Sequence, residues 1–154
     1  MNWVNILSQD CKNAATLNLL LEVALHLTDQ YEKELEAFTV MSLQNRITFK
    51  YIIKISHYEL VTNQNIIQCV PSIRQQFSNV LFGAGTIYNF TALNRHQFLA
   101  NELDFVTLFI HPQAHAFDDH SILETTEAHR DVVKSAQDIH DAIPIHASPI
   151  TLRK

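Results

Sequence analysis

The sequence predicts an α/β fold of parallel strand–helix repeats, and three observations predict it. Short apolar segments alternate along the chain with longer amphipathic ones. The apolar segments are continuous rather than alternating, as strands covered on both faces require. No linker, low-complexity tract or shift of composition divides residues 1–154, so they read as one domain.

The elements follow in order. Leu17–Thr28 (LNLLLEVALHLT) is apolar with one charge, Glu22, and periodicity alone leaves it a buried strand or a helix. Thr28 and Asp29 are plausible caps for the next segment, where Tyr31, Leu35, Phe38 and Met41 recur at helical spacing among Glu32, Lys33, Glu34 and Glu36. Ile47–Ile55 (ITFKYIIKI) is a strand by its β-branched and aromatic content. Ile66, Val70, Ile73 and Phe77 again have helical spacing, and Pro71 fits the first turn of a shorter helix, where a missing N–H costs little. Val80–Thr86 (VLFGAGT) is a short strand ending in glycines, and a long loop separates it from the buried strand Phe105–Ile110. Ser121 and Glu124 have the spacing of a capping box that opens a helix running to about Ala142. Pro144–Ser148 begins the last strand.

A closed (β/α) barrel takes eight strands and typically about 250 residues, whereas about five strands are read here. The repeats therefore form either an open parallel sheet or part of a barrel.

Composition excludes several functions. The net charge is −5 and the basic residues are scattered, so nucleic acid is not an expected partner. No apolar run approaches the roughly 18 residues of a membrane helix, and no cationic start precedes an apolar stretch, so no membrane is expected and the location reads as cytoplasmic. Cys11 and Cys69 lack metal or redox spacing and read as reduced, buried thiols. Glycine is confined to Gly83 and Gly85, and four of the nine histidines fall between positions 111 and 129.

Ligands bind at the C-terminal ends of parallel strands. That rule selects His57 and Glu59, Gly83–Thr86, His111–Asp119 and Ser148. Gly85 and Thr86 could offer backbone N–H groups to an oxyanion; the plainer reading is a strand whose interior would otherwise be crowded. His115 with Asp118 or Asp119 suits general acid–base work, the carboxylate orienting the imidazole. The plainer alternative makes these ordinary loop residues before a helix. Such side chains also suit a divalent metal, but no metal and no organic cofactor is expected. Asn94 and Arg95, in the loop after Phe90, and Gln113 are candidates for holding substrate oxygens. Glu22 could face a barrel interior, while His26, His129 and His140 read as surface or helix-face residues. No GxSxG elbow supports a serine hydrolase.

From about Phe82 to Arg153 the sequence resembles the D-apionate lactonase family of sugar-lactone hydrolases. The matching runs are Gly83–Thr86 (GAGT), Phe90–Arg95 (FTALNR), Asp104–Val106, Pro112–Asp119 (PQAHAFDD) with Ser121 and Glu124, and Ser148–Arg153 (SPITLR). The resemblance implies that the repeats are part of a TIM-type (β/α)8 barrel of glycosidase type. It implies hydrolysis of a small sugar lactone, the opening of D-apionolactone to apionate. In that expectation Gln113, Asn94 and Arg95 hold hydroxyls and carbonyl, His115 deprotonates water with help from Asp118 or Asp119, and donors near Gly85 and Thr86 meet the oxyanion. Two alternatives stand beside it: a truncated, non-catalytic or assembly-dependent fragment that pairs with a second copy or with the remainder of the barrel, and a glycoside hydrolase using two carboxylates.

Overall fold

The computed structural model describes residues 3–19, 21–45, 49–56 (as backbone), 61–77, 79–113, 117–141 and 143–152. Helix α1 (Trp3–Thr16), which the sequence reading did not anticipate, precedes strand β1 (Leu21–Leu27) and helix α2 (Tyr31–Gln44). Strand β2 (Phe49–Ser56) leads to two short helices, α3 (Gln64–Ile67) and α4 (Val70–Arg74), with Pro71 in the first turn of α4. Then come β3 (Leu81–Gly85), α5 (Phe90–Arg95), β4 (Phe105–Ile110), α6 (Asp119–Ile139) and β5 (Ile145–Ile150). The long loop expected after β3 therefore contains a helix. The ambiguous Leu17–Thr28 segment holds the strand Leu21–Leu27, and Ile47 and Thr48 of the expected second strand lie outside the described residues.

All neighbouring strands pair in parallel, in the order β1-β2-β3-β4-β5. A doubly wound sheet reverses its order at a switch point; this one does not. Right-handed crossovers that never reverse direction put every connecting helix on one face. The packing agrees. Leu27, Phe82 and Ala84 join Leu35, Phe38 and Met41 of α2 and Ile66, Ile67, Val70 and Ile73 of α3 and α4 in one cluster. Val106, Leu108 and Ile110 join Leu93 and Ala136 in a second, with Val132, Val133, Ile145 and Ala147 packed against it. Phe98, Ala100 and Ile143 touch both clusters. Burying one such large side chain contributes about 1.5–3 kcal/mol.

Helix starts use local chemistry. The Thr28 amide and hydroxyl both donate to the Glu34 carboxylate, at 2.8 and 2.7 Å, while the Gln30 amide donates to the Thr28 hydroxyl. At the start of β3 the Asp104 carboxylate accepts from the Phe82 amide at 2.7 Å and pairs with Arg74 at 2.9 Å. This pair is partly exposed, so its own contribution is at most about 1 kcal/mol. His140 is not on a helix face: it ends α6, is 5% exposed, and packs against the Phe98 ring with centroids 4.9 Å apart. Burial holds its imidazole below the ordinary value, with Asp141 opposing. Cys11 and Cys69 are free thiols and only half-buried.

The strands are staggered as well as ordered. Glu22 pairs with Tyr51 and Tyr51 with Leu81; carrying the β3–β4 and β4–β5 registers on from there makes Glu22 level with a position ahead of β5, about four residues before His146. Yet the Glu22 and His146 side chains meet. A shear of 8 over eight strands gives this offset, about four residues between strands four apart.

The two glycines sit where the strands come closest. A Cβ on Gly85 would lie 1.9 Å from the Thr107 carbonyl oxygen, which is backbone and cannot rotate away. A Cβ on Gly83 would meet the tip of the Phe105 ring at 2.0 Å, and a ring can tilt. Gly85→Ala is therefore expected to cost about 3 kcal/mol and Gly83→Ala nearer 1 kcal/mol. Urea unfolding midpoints check the ranking, and equal losses would contradict it.

Candidate functional site

Because the helices occupy one face, the opposite face of the curved sheet carries the side chains of alternate residues. On β1 these are Glu22, Ala24 and His26, all exposed, whereas Leu21, Val23 and Leu25 are partly buried and Leu27 is buried. On β3 the corresponding positions are Gly83 and Gly85, and on β5 His146 and Ser148. The concave face is thus polar on β1 and β5, while on β3 Leu81 is exposed and the two glycines lie under the Phe105 ring and the Thr107 backbone. Glu22, Ala24, His26, Ile87, Phe109, Ser148 and Pro149 line a cleft of about 420 Å³ on it.

Glu22 stands at the floor of this cleft. Its Oε1 accepts from the Ser148 hydroxyl at 3.2 Å, and its Oε2 lies 3.4 Å from Nε2 of His146. The imidazole is seated edge-on to the Phe105 ring, with centroids 5.2 Å apart. The Thr107 hydroxyl lies 3.0 Å from the carbonyl oxygen of His146 and 3.3 Å from that of Ser148, fixing the backbone that carries both side chains. Glu22 and Ser148 are brought together from 126 residues apart in the sequence, with His146 beside them. A carboxylate held between a hydroxyl and an imidazole, and open to a cleft, has the chemistry of a general base.

The cleft runs from this floor toward the C-terminal ends of the strands, where His26, Ile87 and Phe109 lie. Nearby, Nδ1 of His111 is 2.8 Å from the Thr151 carbonyl oxygen. A carbonyl only accepts, so Nδ1 is the donor in this contact. Nε2 of the same ring is buried without a hydrogen-bond partner among the described residues.

The residues expected from sequence are distributed differently. His115 lies outside the described residues, as do His57 and Glu59. Asp118 is the N-cap of α6: its carboxylate accepts from the Ser121 amide at 2.9 Å. The capping residue is therefore three positions earlier than the expected Ser121, and Glu124 pairs instead with His120 at 3.4 Å on the exposed helix surface. Asp119 is in the first turn of α6 and exposed. Asn94 and Arg95 are exposed on α5 rather than in a loop. Among the described residues, no hydrogen bond or ion pair joins Asn94 or Arg95 to Asp118 or Asp119. Gln113, 8% exposed, is buried after β4.

Gly85 and Thr86 close a β3–β4 junction. The Gly85 amide donates to the Thr62 hydroxyl at 3.3 Å, and the Thr86 amide donates to the Thr107 carbonyl at 3.0 Å. Both N–H groups expected to meet an oxyanion are thus already donating within the fold. Sequence reasoning passed over His146, which has no motif around it, and left the register of Glu22 open. Two inward positions separated by most of the sequence become neighbours only once strand order and stagger are known. No cluster of three or more metal-ligating side chains occurs among the described residues, and no helix among them is long and apolar enough to cross a membrane.

A family model described as "D-apionate lactonase, TIM barrel domain" matches residues 5–154. The D-apionate lactonase of Brucella anthropi is 34% identical over 79 residues, which is 51% of this protein and 13% of that one. The match thus spans a small part of that relative's length. No solved structure matches.

Capping gives one direct test. The hydrogen bond from the Ser121 amide holds the Asp118 carboxyl below its ordinary value. Its contribution to α6 is complete above that ordinary value and is lost as pH falls through the lowered one. Asp118→Ala is expected to speed exchange of the Ser121 amide at neutral pH, Asp118→Ser to preserve it, and acid to reproduce the alanine effect. Unchanged protection in Asp118→Ala, read by NMR, would contradict the assignment.

Proposed function

We propose, from the premise that this chain belongs to the D-apionate lactonase TIM barrel family, that it hydrolyses a small sugar lactone on the concave face of its sheet. The observation that carries this reading is the polar-floored cleft of about 420 Å³ on the helix-free face, its far wall at the strand ends where such barrels bind substrates. The stagger between β1 and β5 supports taking the five strands as part of an eight-stranded barrel in which these two lie opposite one another.

Lactone opening needs a base for water, donors for the carbonyl oxygen and a proton for the departing ring oxygen; it needs no organic cofactor. Asn94 and Arg95, exposed on α5, and Gln113, buried after β4, stay candidates for holding substrate oxygens, although none of the three lines this cleft. His115 and Asp119 belong to the segment after β4 and are proposed to act at the rim, with Asp118 shaping that segment by capping α6. Since Gly85 and Thr86 donate within the fold, their part is structural, tying the end of β3 to Thr62 and Thr107.

A second reading, a fragment active only in assembly, draws on the uncovered concave face and on exposed Ile150 and Leu152 around the last strand. Supplying the purified protein with D-apionolactone and, separately, with aryl glycosides tests these readings together. Acid release in a pH-stat above the spontaneous rate, with glycosides untouched, is the expected result. Glycoside cleavage with the lactone untouched would replace the reading with a carboxylate-pair glycosidase. Turnover that rises steeply with protein concentration would favour the assembly.

A further inference from the structure

Resting on the lactone-hydrolase reading, we infer that Glu22 is the catalytic base of the site, with His146 and Ser148 as its positioning residues. Four observations on different elements converge on this assignment. Glu22 is the carboxylate lining the cleft, with its side chain 36% exposed. Both of its oxygens are engaged, one by the Ser148 hydroxyl and one beside Nε2 of His146, which fixes the plane of the carboxylate. Those partners are themselves held, His146 against the Phe105 ring and the β5 backbone by the Thr107 hydroxyl. The cleft above is open, and next to Glu22 on β1 it is bounded by Ala24, whose side chain is a single methyl.

This last point separates a working carboxylate from a structural one. Barrel interiors are normally filled by layers of bulky branched side chains from alternate strands. The layer of Glu22, Gly83 and His146 holds two polar groups and a glycine, and the next, of Ala24, Gly85 and Ser148, holds only small residues. A polar pair retained only to pack the interior would be covered; this one faces space enough for a small polyhydroxylated lactone and a water.

The step balances. Glu22 takes one proton from water as the water oxygen bonds to the lactone carbonyl carbon, giving a tetrahedral oxyanion. Collapse re-forms the carbonyl and breaks the bond from that carbon to the ring oxygen, which receives the proton back from Glu22. The product is the open hydroxy acid, whose carboxyl proton passes to solvent. His146 and Ser148 exchange no atoms with substrate; they hold the carboxylate toward the water.

The test uses the whole chain of 154 residues and D-apionolactone. Glu22→Gln keeps the shape and removes the base, so kcat should fall by about 10²–10⁴-fold while KM stays within about threefold. Glu22→Ala should fall similarly, and added formate should restore part of its kcat, a response a structural role does not produce. Ser148→Ala should lower kcat by about tenfold with KM little changed. If the variants fail to fold, the unaltered protein answers the question: saturating lactone product should protect Glu22 from carbodiimide–amine labelling, read by peptide mass spectrometry. A Glu22→Gln variant with near-normal kcat, no rescue by formate, or labelling of Glu22 unaffected by bound product would each overturn the assignment while leaving the lactonase reading intact. An unaltered protein that neither binds nor opens the lactone would overturn the lactonase reading and the assignment with it.

Discussion

Parallel pairing in strict sequence order constrains everything else in this molecule. Each strand joins the free edge of the one before it, and each return must be right-handed, so every connecting helix falls on the same side of the sheet. The apolar clusters under α2 to α4 and under α5 and α6 are the result. So is the bareness of the other side, which no connecting helix among the described residues covers. A curved sheet with one dressed face brings its first and last strands toward each other, and Glu22 on β1 meets His146 and Ser148 on β5.

Small residues then decide what the inner face is for. Gly85 is required by its own neighbourhood, since β4 backbone occupies the place of a Cβ, and Gly83 accommodates the Phe105 ring that backs His146. Both glycines also remove side chains from the interior at the level where β1 and β5 carry polar ones. One pattern therefore gives close strand packing and, through Phe105 and His146, a supported carboxylate. The cost is a polar interior that the layers of aliphatic side chains found in most barrels avoid, which is why its hydrogen bonds must be satisfied from β4 and β5 themselves.

The fold was legible because its strands are long, apolar and separated by amphipathic segments, and Phe105–Ile110 agrees to the residue. Leu17–Thr28 was ambiguous because a short apolar run suits a helix or a strand equally; the alternate exposure of Glu22, Ala24 and His26 resolves it. Helix α1 and helix α5 went unread, the first without capping signals and the second only six residues long. The site was less legible. Local clustering drew attention to the segment after β4, where Asp118 proves to cap a helix. The grouping of Glu22, His146 and Ser148 is not local at all: it depends on which strands are opposite and by how many residues they are staggered, information that no window of the sequence contains.

The central claim, that β1 and β5 face one another with Glu22 seated against His146, is open to a direct measurement. In the whole chain labelled at histidine and glutamate, a ¹³C-edited NOE experiment should connect a His146 ring proton to the Glu22 γ-methylene, as a side-chain separation of 3.4 Å requires. That cross-peak, lost in Glu22→Ala, is the predicted result. A His146 ring coupled to Phe105 but not to Glu22 would mean that the sheet is splayed, that the two strands do not meet, and that the polar floor of the cleft does not exist.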